Sequence, residues 1–434
     1  MIATIICFLL FCIAVRSYAT RKYVASVVIL AFFTTNAFIL NLGAPYVKYM
    51  DFGLLEIAIC TIIGFYRFKN FFSISSFPGK LFISFGFFLI VVILYSLIIH
   101  ADSLSNIITV LHPYFYIFSY FILRIIPKEK LEKSVRVIFK LTIFVCVCFI
   151  LQYITHLKIV DTYIAEDSQT YRMQVTPPFM VPFTLALLLF GNNIKRRYLY
   201  LLTLFVVFLI AQNRTPIVSV VLQLIVYFLF AKNTKHKFAI VLISFMAFPF
   251  ILSMFNQRVE EKNSSASNSL GEIESNISSA DYTSLSRGST FLFRIAMIAE
   301  RLNYLNEHPD KSLLGIGAMH EMSSNNNFNF LIGTGSISKG GSYEKSQIDS
   351  VDTLWSPVIL RFGYVGVTVF LLYLFLSTRY FFRKRQNNIA FLGGLFFLAS
   401  IIGSISSGGA FSVVSLLTHS LFFIFVEKDI KILL

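Results

Sequence analysis

Three places in the chain set charged side chains, a hydroxyl residue and a proline in the order that opens a helix. Arg172 precedes Thr176-Pro177, Arg214 precedes Thr215-Pro216, and Asp349 and Asp352 precede Ser356-Pro357. A hydroxyl side chain can take up the free amides of a first turn, and proline suits the first helical position. A helix N-terminus carries partial positive charge and unsatisfied N–H groups. A guanidinium beside it makes an anion site, and arginine grips phosphate oxygens with two parallel hydrogen bonds. The competing reading is an arginine at a bilayer edge that snorkels to lipid phosphates. That reading suits Arg172 as well, but it fits Arg214 poorly, because the connection from Gln212 to Thr215 leaves little room to swing away.

Arg287, Arg294 and Arg301 recur every seven residues and so share one side of a continuous helix. Arg287 and Arg294 bracket the step from loop to helix and could close over an anionic ligand, whereas Arg301 is expected to be part of a solvated charged stripe. His308 and His320 are candidates for proton transfer, although a histidine before proline, as in His308-Pro309, is more often structural. HExxH, DxD and CxxC are missing, as are the Walker loop and GxGxxG, so neither a metal nor a cofactor is expected. All five cysteines (Cys7, Cys12, Cys60, Cys146, Cys148) lie in apolar runs, and no disulfide framework is indicated.

The elements that must position these residues are set by composition. The 434 residues are 56% hydrophobic and 14% charged, with a mean hydropathy of +0.73, which excludes a soluble domain of this size. Thirteen apolar runs are candidates to cross about 30 Å of hydrocarbon. They are Met1 to Val15, Tyr23 to Leu42, Phe52 to Tyr66, Leu81 to Ile99, Ile107 to Ile126, Val137 to Ile154, Pro177 to Gly191, Tyr198 to Gln212, Pro216 to Ala231, Phe238 to Phe255, Pro357 to Thr378, Ile389 to Ile405 and Phe411 to Val426. The first lacks a basic leader and is read as an uncleaved span rather than a signal peptide. The net charge of +15 sits in alternate loops, around Arg16–Lys22, Arg67–Lys80, Arg124–Lys140, Lys195–Arg197, Lys232–Lys237, Arg379–Arg385 and Lys428–Lys431. That pattern marks cytoplasmic loops, not a nucleic-acid surface, and it leaves the N-terminus outside and the C-terminus inside.

The expected fold is therefore an all-α polytopic transmembrane helical bundle of about 12–13 spans. It divides into a first bundle over residues 1–255 with about ten spans, a large external loop over 256–353 with short helices, and a second bundle over 354–434 with about three. Within the loop, 263–289 is rich in Ser and Asn, and 323–342 in Asn, Gly and Ser. Ser289 to Glu307 has helical apolar spacing at Phe291, Ile295, Ile298, Leu302 and Leu305, and stops at Pro309.

Taken together, this layout resembles the Wzy family of O-antigen and capsular polysaccharide polymerases, related to the O-antigen ligase-like membrane proteins. The likeness is carried by Tyr171-Arg172, by Asn213-Arg214-Thr215, and by Arg294 leading a helix into His308-Pro309. It is carried further by Gly315-Ile316-Gly317, by Asp352-Thr353-Leu354-Trp355 and by Phe362-Gly363-Tyr364-Val365-Gly366. Asp352 stands where the ligase branch usually has histidine. The resemblance implies a bacterial inner-membrane glycosyltransferase that joins undecaprenyl-diphosphate-linked oligosaccharides on the external face, with membrane lipid as its surroundings, a chain-length regulator as partner and no nucleic acid. The leaving diphosphate gains negative charge as the anomeric bond breaks, so Arg172, Arg214, Arg287 and Arg294 would bind it. Asp352, Asp349 or His308 would take the acceptor proton. A ligase and a flippase for lipid-linked sugars are the alternatives. A flippase should carry its charges within the spans, where this chain has chiefly Glu56 and Arg361.

Overall fold

The computed structural model describes residues 2–34, 48–99, 102–157, 159–160, 164–165, 172–173, 184, 188, 196–211, 290–323, 326, 328–332, 334–339, 342–350, 353–405 and 407–430. Arg214, Arg287 and Asp352 lie outside them, as do the candidate spans Pro216 to Ala231 and Phe238 to Phe255 and all of Pro177 to Gly191 but Thr184 and Leu188.

The described residues of the other apolar runs are mainly helical. The first bundle comprises α1 (Ile2–Ala19), α2 (Tyr23–Phe33), α3 (Tyr49–Arg67), α4 (Phe77–Ile99), α5 (Leu104–Leu111), α6 (Ser119–Arg124), α7 (Lys128–Thr155) and α8 (Arg197–Ala211). The polar segment holds α9 (Thr290–Glu307) and α10 (Pro309–Ser312), and the second bundle α11 (Trp355–Arg383), α12 (Asn388–Gly403) and α13 (Val413–Glu427). Six of the stretches are long and apolar enough to cross a bilayer, and α2, α8, α12 and α13 are shorter apolar helices. Large apolar side chains face outward along them, among them Phe8, Phe65, Phe87, Phe144 and Phe375. The inverted surface and the run of apolar helices make this a multi-pass membrane protein.

The described residues are all-α apart from two short antiparallel strand pairs. β1 (Ile164–Ala165) meets β2 (Arg172–Met173), and β3 (Thr334–Lys339) meets β4 (Ser342–Ser346). The second hairpin was not legible in a stretch read only as rich in Asn, Gly and Ser. The run Ile107 to Ile126 is not one helix: Pro113 withdraws an amide, and a 3₁₀ turn over His112–Phe118 joins α5 to α6.

Contacts sort the connections onto two ends of the bundle. At one end Arg67 donates to the carbonyl of Ala19, Arg124 to Ser73 (3.0 Å), Lys128 to Asp429 (2.6 Å) and Lys428 to Ile126. These are the basic loops, gathered as their alternation requires. At the other end Tyr95 and Ser96, near the close of α4, reach Gly315 and Ala318 of the polar segment. There too the amide of Leu354 bonds the carbonyl of Ser404 (3.0 Å), and the indole of Trp355 donates to the Ser404 hydroxyl (2.9 Å). Between the ends the core is aromatic, with Phe370 against Phe411 at 4.5 Å and Phe82 stacked on Tyr120 at 4.4 Å, packing that must hold helices together where lipid competes for apolar surface.

α11 breaks at Gly363, whose φ of 59° and ψ of −159° are open to glycine alone. The chain at Gly315, φ +66°, fills the break. The amide of Ile316 donates to the carbonyl of Leu360 (2.9 Å) and the amide of Val365 to the carbonyl of Leu313 (3.1 Å), so the groups freed from the helix are paired. A Cβ on Gly315 would stand 2.4 Å from the Leu360 carbonyl oxygen, and one on Gly363 2.5 Å from that of Leu313.

Gly363→Ala and Gly315→Ala should each cost about 3 kcal/mol or more, from backbone strain plus the clash. Gly409→Ala, whose new Cβ would meet only the Ser407 hydroxyl, should cost about 1 kcal/mol or less. Thermal midpoints of the full chain in detergent check this, and equal midpoints for Gly363→Ala and Gly409→Ala would remove the clasp from the account.

Candidate functional site

The polar segment is fastened to α9 chiefly by charged residues, and the apolar stripe its spacing predicts is buried only in part. α9 buries Ala296, Met297, Glu300, Arg301 and, of the predicted stripe, Leu305, whereas Ile295, Ile298 and Leu302 are only half-buried. Glu300 accepts from the amides of Leu331 (2.6 Å) and Ile332 (3.3 Å), and Arg301 donates to the carbonyls of Ile332 (2.7 Å) and Gln347 (3.0 Å). The chain on either side of the β3–β4 hairpin has no ladder of its own and needs partners for its backbone, and these two side chains supply them. Arg301 is therefore no solvated stripe: it is 1% exposed, pairs with Glu300 at 2.5 Å and covers the ring of Phe330 at 3.7 Å. Burial pulls its pKa down to about 10, so it stays cationic at neutral pH.

Glu321 plays the same part for the chain entering α11. Its buried carboxylate accepts from the amides of Gln347 (2.7 Å), Ile348 (2.8 Å) and Asp349 (3.0 Å). This carries Asp349 to Arg361, at 2.6 Å, while Arg361 Nε donates to the carbonyl of Met319 (3.1 Å). Arg361 is 6% exposed and the Asp349 side chain 51%. Burial pushes the Asp349 carboxyl up, but the charge and hydrogen bond of Arg361, with His320 nearby, outweigh it and hold the group below the usual carboxylate range. An acid already paired and so depressed is a poor base, which sets Asp349 behind His308 among the three candidates.

His308 is differently placed. Its Nδ1 lies 2.8 Å from the carbonyl of Tyr304, which can only accept, so Nδ1 carries the proton and Nε2 of the neutral ring keeps its lone pair. The imidazole stacks on Tyr304, centroids 4.2 Å apart, and Lys311 donates to the Tyr304 hydroxyl (2.8 Å). His320 has the opposite tautomer, its Nδ1 accepting from the amide of Met322 (3.1 Å). One small core joins the two flanks: Ile316, Met319, Ile348 and Leu360, with Tyr304, Phe328 and Phe330 packed on it, lie between His308 and the Arg361–Asp349 pair.

Among the described residues, Arg294 and Arg172 have other settings. Arg294 sits in the first turns of α9, about 20 Å from His308 at 1.5 Å per residue, so both cannot touch one reacting bond. Arg172 opens β2 opposite Ala165. Ser356 does not cap α11; the chain enters the helix at Leu354, Thr353 Oγ1 accepts from the amide of Trp355 (3.2 Å), and Ser356 is buried in the first turn. Arg361 was noticed only as a charge within a span, and its position six residues into α11 was the available signal. No family model matches this chain, and no curated protein matches it.

Arg301→Ala should lower stability by about 3–5 kcal/mol, because it leaves buried carbonyls and Glu300 without their cation, and Arg301→Lys should recover little of the loss. A thermal midpoint within a degree of wild type would refute this. Because its folded pKa is depressed, Asp349 contributes stability in full above about pH 4. That contribution is lost as pH falls through the lower, folded value. Asp349→Asn should flatten the acid limb of midpoint against pH, and unchanged curvature would mean the ion pair adds nothing.

Proposed function

We propose that the chain is a glycosyltransferase that polymerises undecaprenyl-diphosphate-linked oligosaccharide repeat units into O-antigen or capsular polysaccharide. It works from the external face of a bacterial inner membrane. His308 carries this reading: a base with a fixed tautomer, its free nitrogen at the loop end of the bundle, and a buried cation on the far flank of the same small core. The motif likeness to the polymerases supports it from the sequence side.

In the proposed reaction the acceptor hydroxyl gives its proton to Nε2 of His308 and its oxygen forms the new bond to the anomeric carbon. The bond from that carbon to the diphosphate oxygen breaks with its electron pair, and undecaprenyl diphosphate leaves as the anion. Fixed guanidinium groups lower the barrier because the charge they meet grows toward the transition state. Arg361 joins Arg172, Arg214 and Arg287 as candidates for that work, and Arg294 belongs at a greater distance from the base. Asp352 stays with His308 as a candidate base. A chain-length regulator is the partner this reading brings with it.

A deletion strain should display a single repeat on its anchor in a sugar-ladder gel, where loss of a ligase would leave polymer on the lipid carrier and loss of a flippase no external repeat. Arg214→Ala and His308→Ala should fail to restore polymer at unchanged protein abundance, with His308→Ala slower by about 10²–10⁴-fold. Arg214→Lys should rescue poorly, since a point charge does not reproduce the fork, and Asp349→Asn should retain polymer. A ladder of normal length from His308→Ala would overturn the assignment of the base, and one from Arg214→Ala that of the diphosphate grip.

A further inference from the structure

We infer that Phe328, with Tyr304 and Phe330, forms the seat for the sugar ring that His308 deprotonates, a role that rests on the glycosyl-transfer reading above. Phe328 and Phe330 lie parallel, 11° apart with centroids at 5.6 Å, and Tyr304 stands edge-on to both at 88° and 79°. The group is built to be rigid. The guanidinium of Arg301 covers Phe330, the amide of Phe330 donates to Gln347 Oε1 (2.7 Å), and the rings rest on Ile316, Met319, Ile348 and Leu360. Yet both phenyl rings are only half-buried, and Asn329 between them is exposed.

A pyranose ring needs two things from a protein: a flat apolar surface for the C–H groups of one face, and a rim of donors and acceptors for its hydroxyls. Phe328 offers the surface. The rim is His308 Nε2 and Lys311 Nζ on the Tyr304 hydroxyl, an acceptor and a donor beside the ring of Tyr304. A lipid chain would have no use for that rim. The occupant is therefore a hydroxylated sugar ring, lodged by one face against Phe328 with a hydroxyl turned toward the imidazole that stacks on Tyr304. Asn306, held by the hydroxyl of Tyr364 at 2.5 Å, ties this end of α9 to the break in α11 and keeps the seat in register with the bundle.

The test uses the full chain in lipid nanodiscs with the methyl glycosides of glucose, galactose and N-acetylglucosamine, read by saturation-transfer NMR. For the wild type, the protons of one ring face of at least one glycoside should receive the most saturation. Phe328→Leu keeps apolar volume without an aromatic face and should weaken binding about tenfold, while Phe328→Trp should keep it. Elution profile and thermal midpoint confirm that both variants are folded. Failure of all three glycosides to bind the wild type, or binding by Phe328→Leu equal to wild type, would overturn the seat. Loss of glycoside binding in Phe328→Leu beside a normal polymer ladder would leave the seat standing and overturn glycosyl transfer as its purpose.

Discussion

A membrane helix can be broken only where something other than water takes up the freed backbone groups. In this chain the break at Gly363 is closed by the turn at Gly315, two main chains lying so near that neither position has room for a Cβ. That exchange of hydrogen bonds fixes where α9 ends relative to the bundle, and with it the place of His308. The carbonyl of Leu360 and the amide of Val365 are paired outside their own helix, while Arg361 between them reaches Met319 and Asp349. The imidazole of His308 on one side of the clasp and the cation of Arg361 on the other thus share a single mechanical reference. Tyr95 and Ser96 extend that reference to α4.

Beyond the clasp, the polar segment is organised by three buried charged residues more than by apolar burial. Among the described residues its apolar clusters are small, Ala296, Met297 and Ile332 in one and Ile316, Met319 and Ile348 with Leu360 of α11 in the other. A segment with so little to bury must satisfy its backbone locally, and Glu300, Arg301 and Glu321 each pair with two or more backbone groups. Removing one partner from such a set leaves the rest desolvated and unpaired, which is costly, even where the set as a whole adds little net stability. Specific position is what it contributes. The stretch from Gln347 to Asp349 is delivered to Arg361 by hydrogen bonds to one carboxylate.

Hydropathy and charge alternation make the helical bundle and its two ends legible in the sequence, because burial in lipid acts on every residue of a span at once. The helix from Thr290 to Glu307 is legible for the same reason, its period being local. Which of its residues are buried is legible only in part. Phe291, Ile295, Ile298, Leu302 and Leu305 mark the apolar stripe, and Leu305 is buried, yet Glu300 and Arg301 also face inward, because their partners are backbone atoms some 30 to 46 positions further on. Gly315-Ile316-Gly317 and Phe362-Gly363-Tyr364 were both conspicuous as motifs. Their contact was not, since nothing local ties a turn to a helix break across nearly fifty residues. His308 before Pro309 suggested a structural histidine, and it is one as well as a candidate base: the bond from Nδ1 to Tyr304 is what leaves Nε2 ready.

The distribution of charge within the described helices also bears on the choice between chemistry and transport. A carrier that alternates access keeps its ionisable groups near the midplane, where the two halves of the protein move around them. Arg361 is instead in the second turn of α11, at the loop end, and its partners Asp349 and Met319 belong to the polar segment. Glu56 is deeper, buried on α3 with the Ser26 hydroxyl of α2 donating to it at 2.8 Å. Among the described residues, a single hydroxyl-bonded carboxyl lies between two packed helices, whereas a paired cation, a tautomer-fixed imidazole and an aromatic group gather around one small core at the loop end, the arrangement that the proposed chemistry needs. The clasp strengthens that distinction. Its two backbone bonds tie the polar segment to α11, so that Arg361 and the segment that meets it are held as one unit.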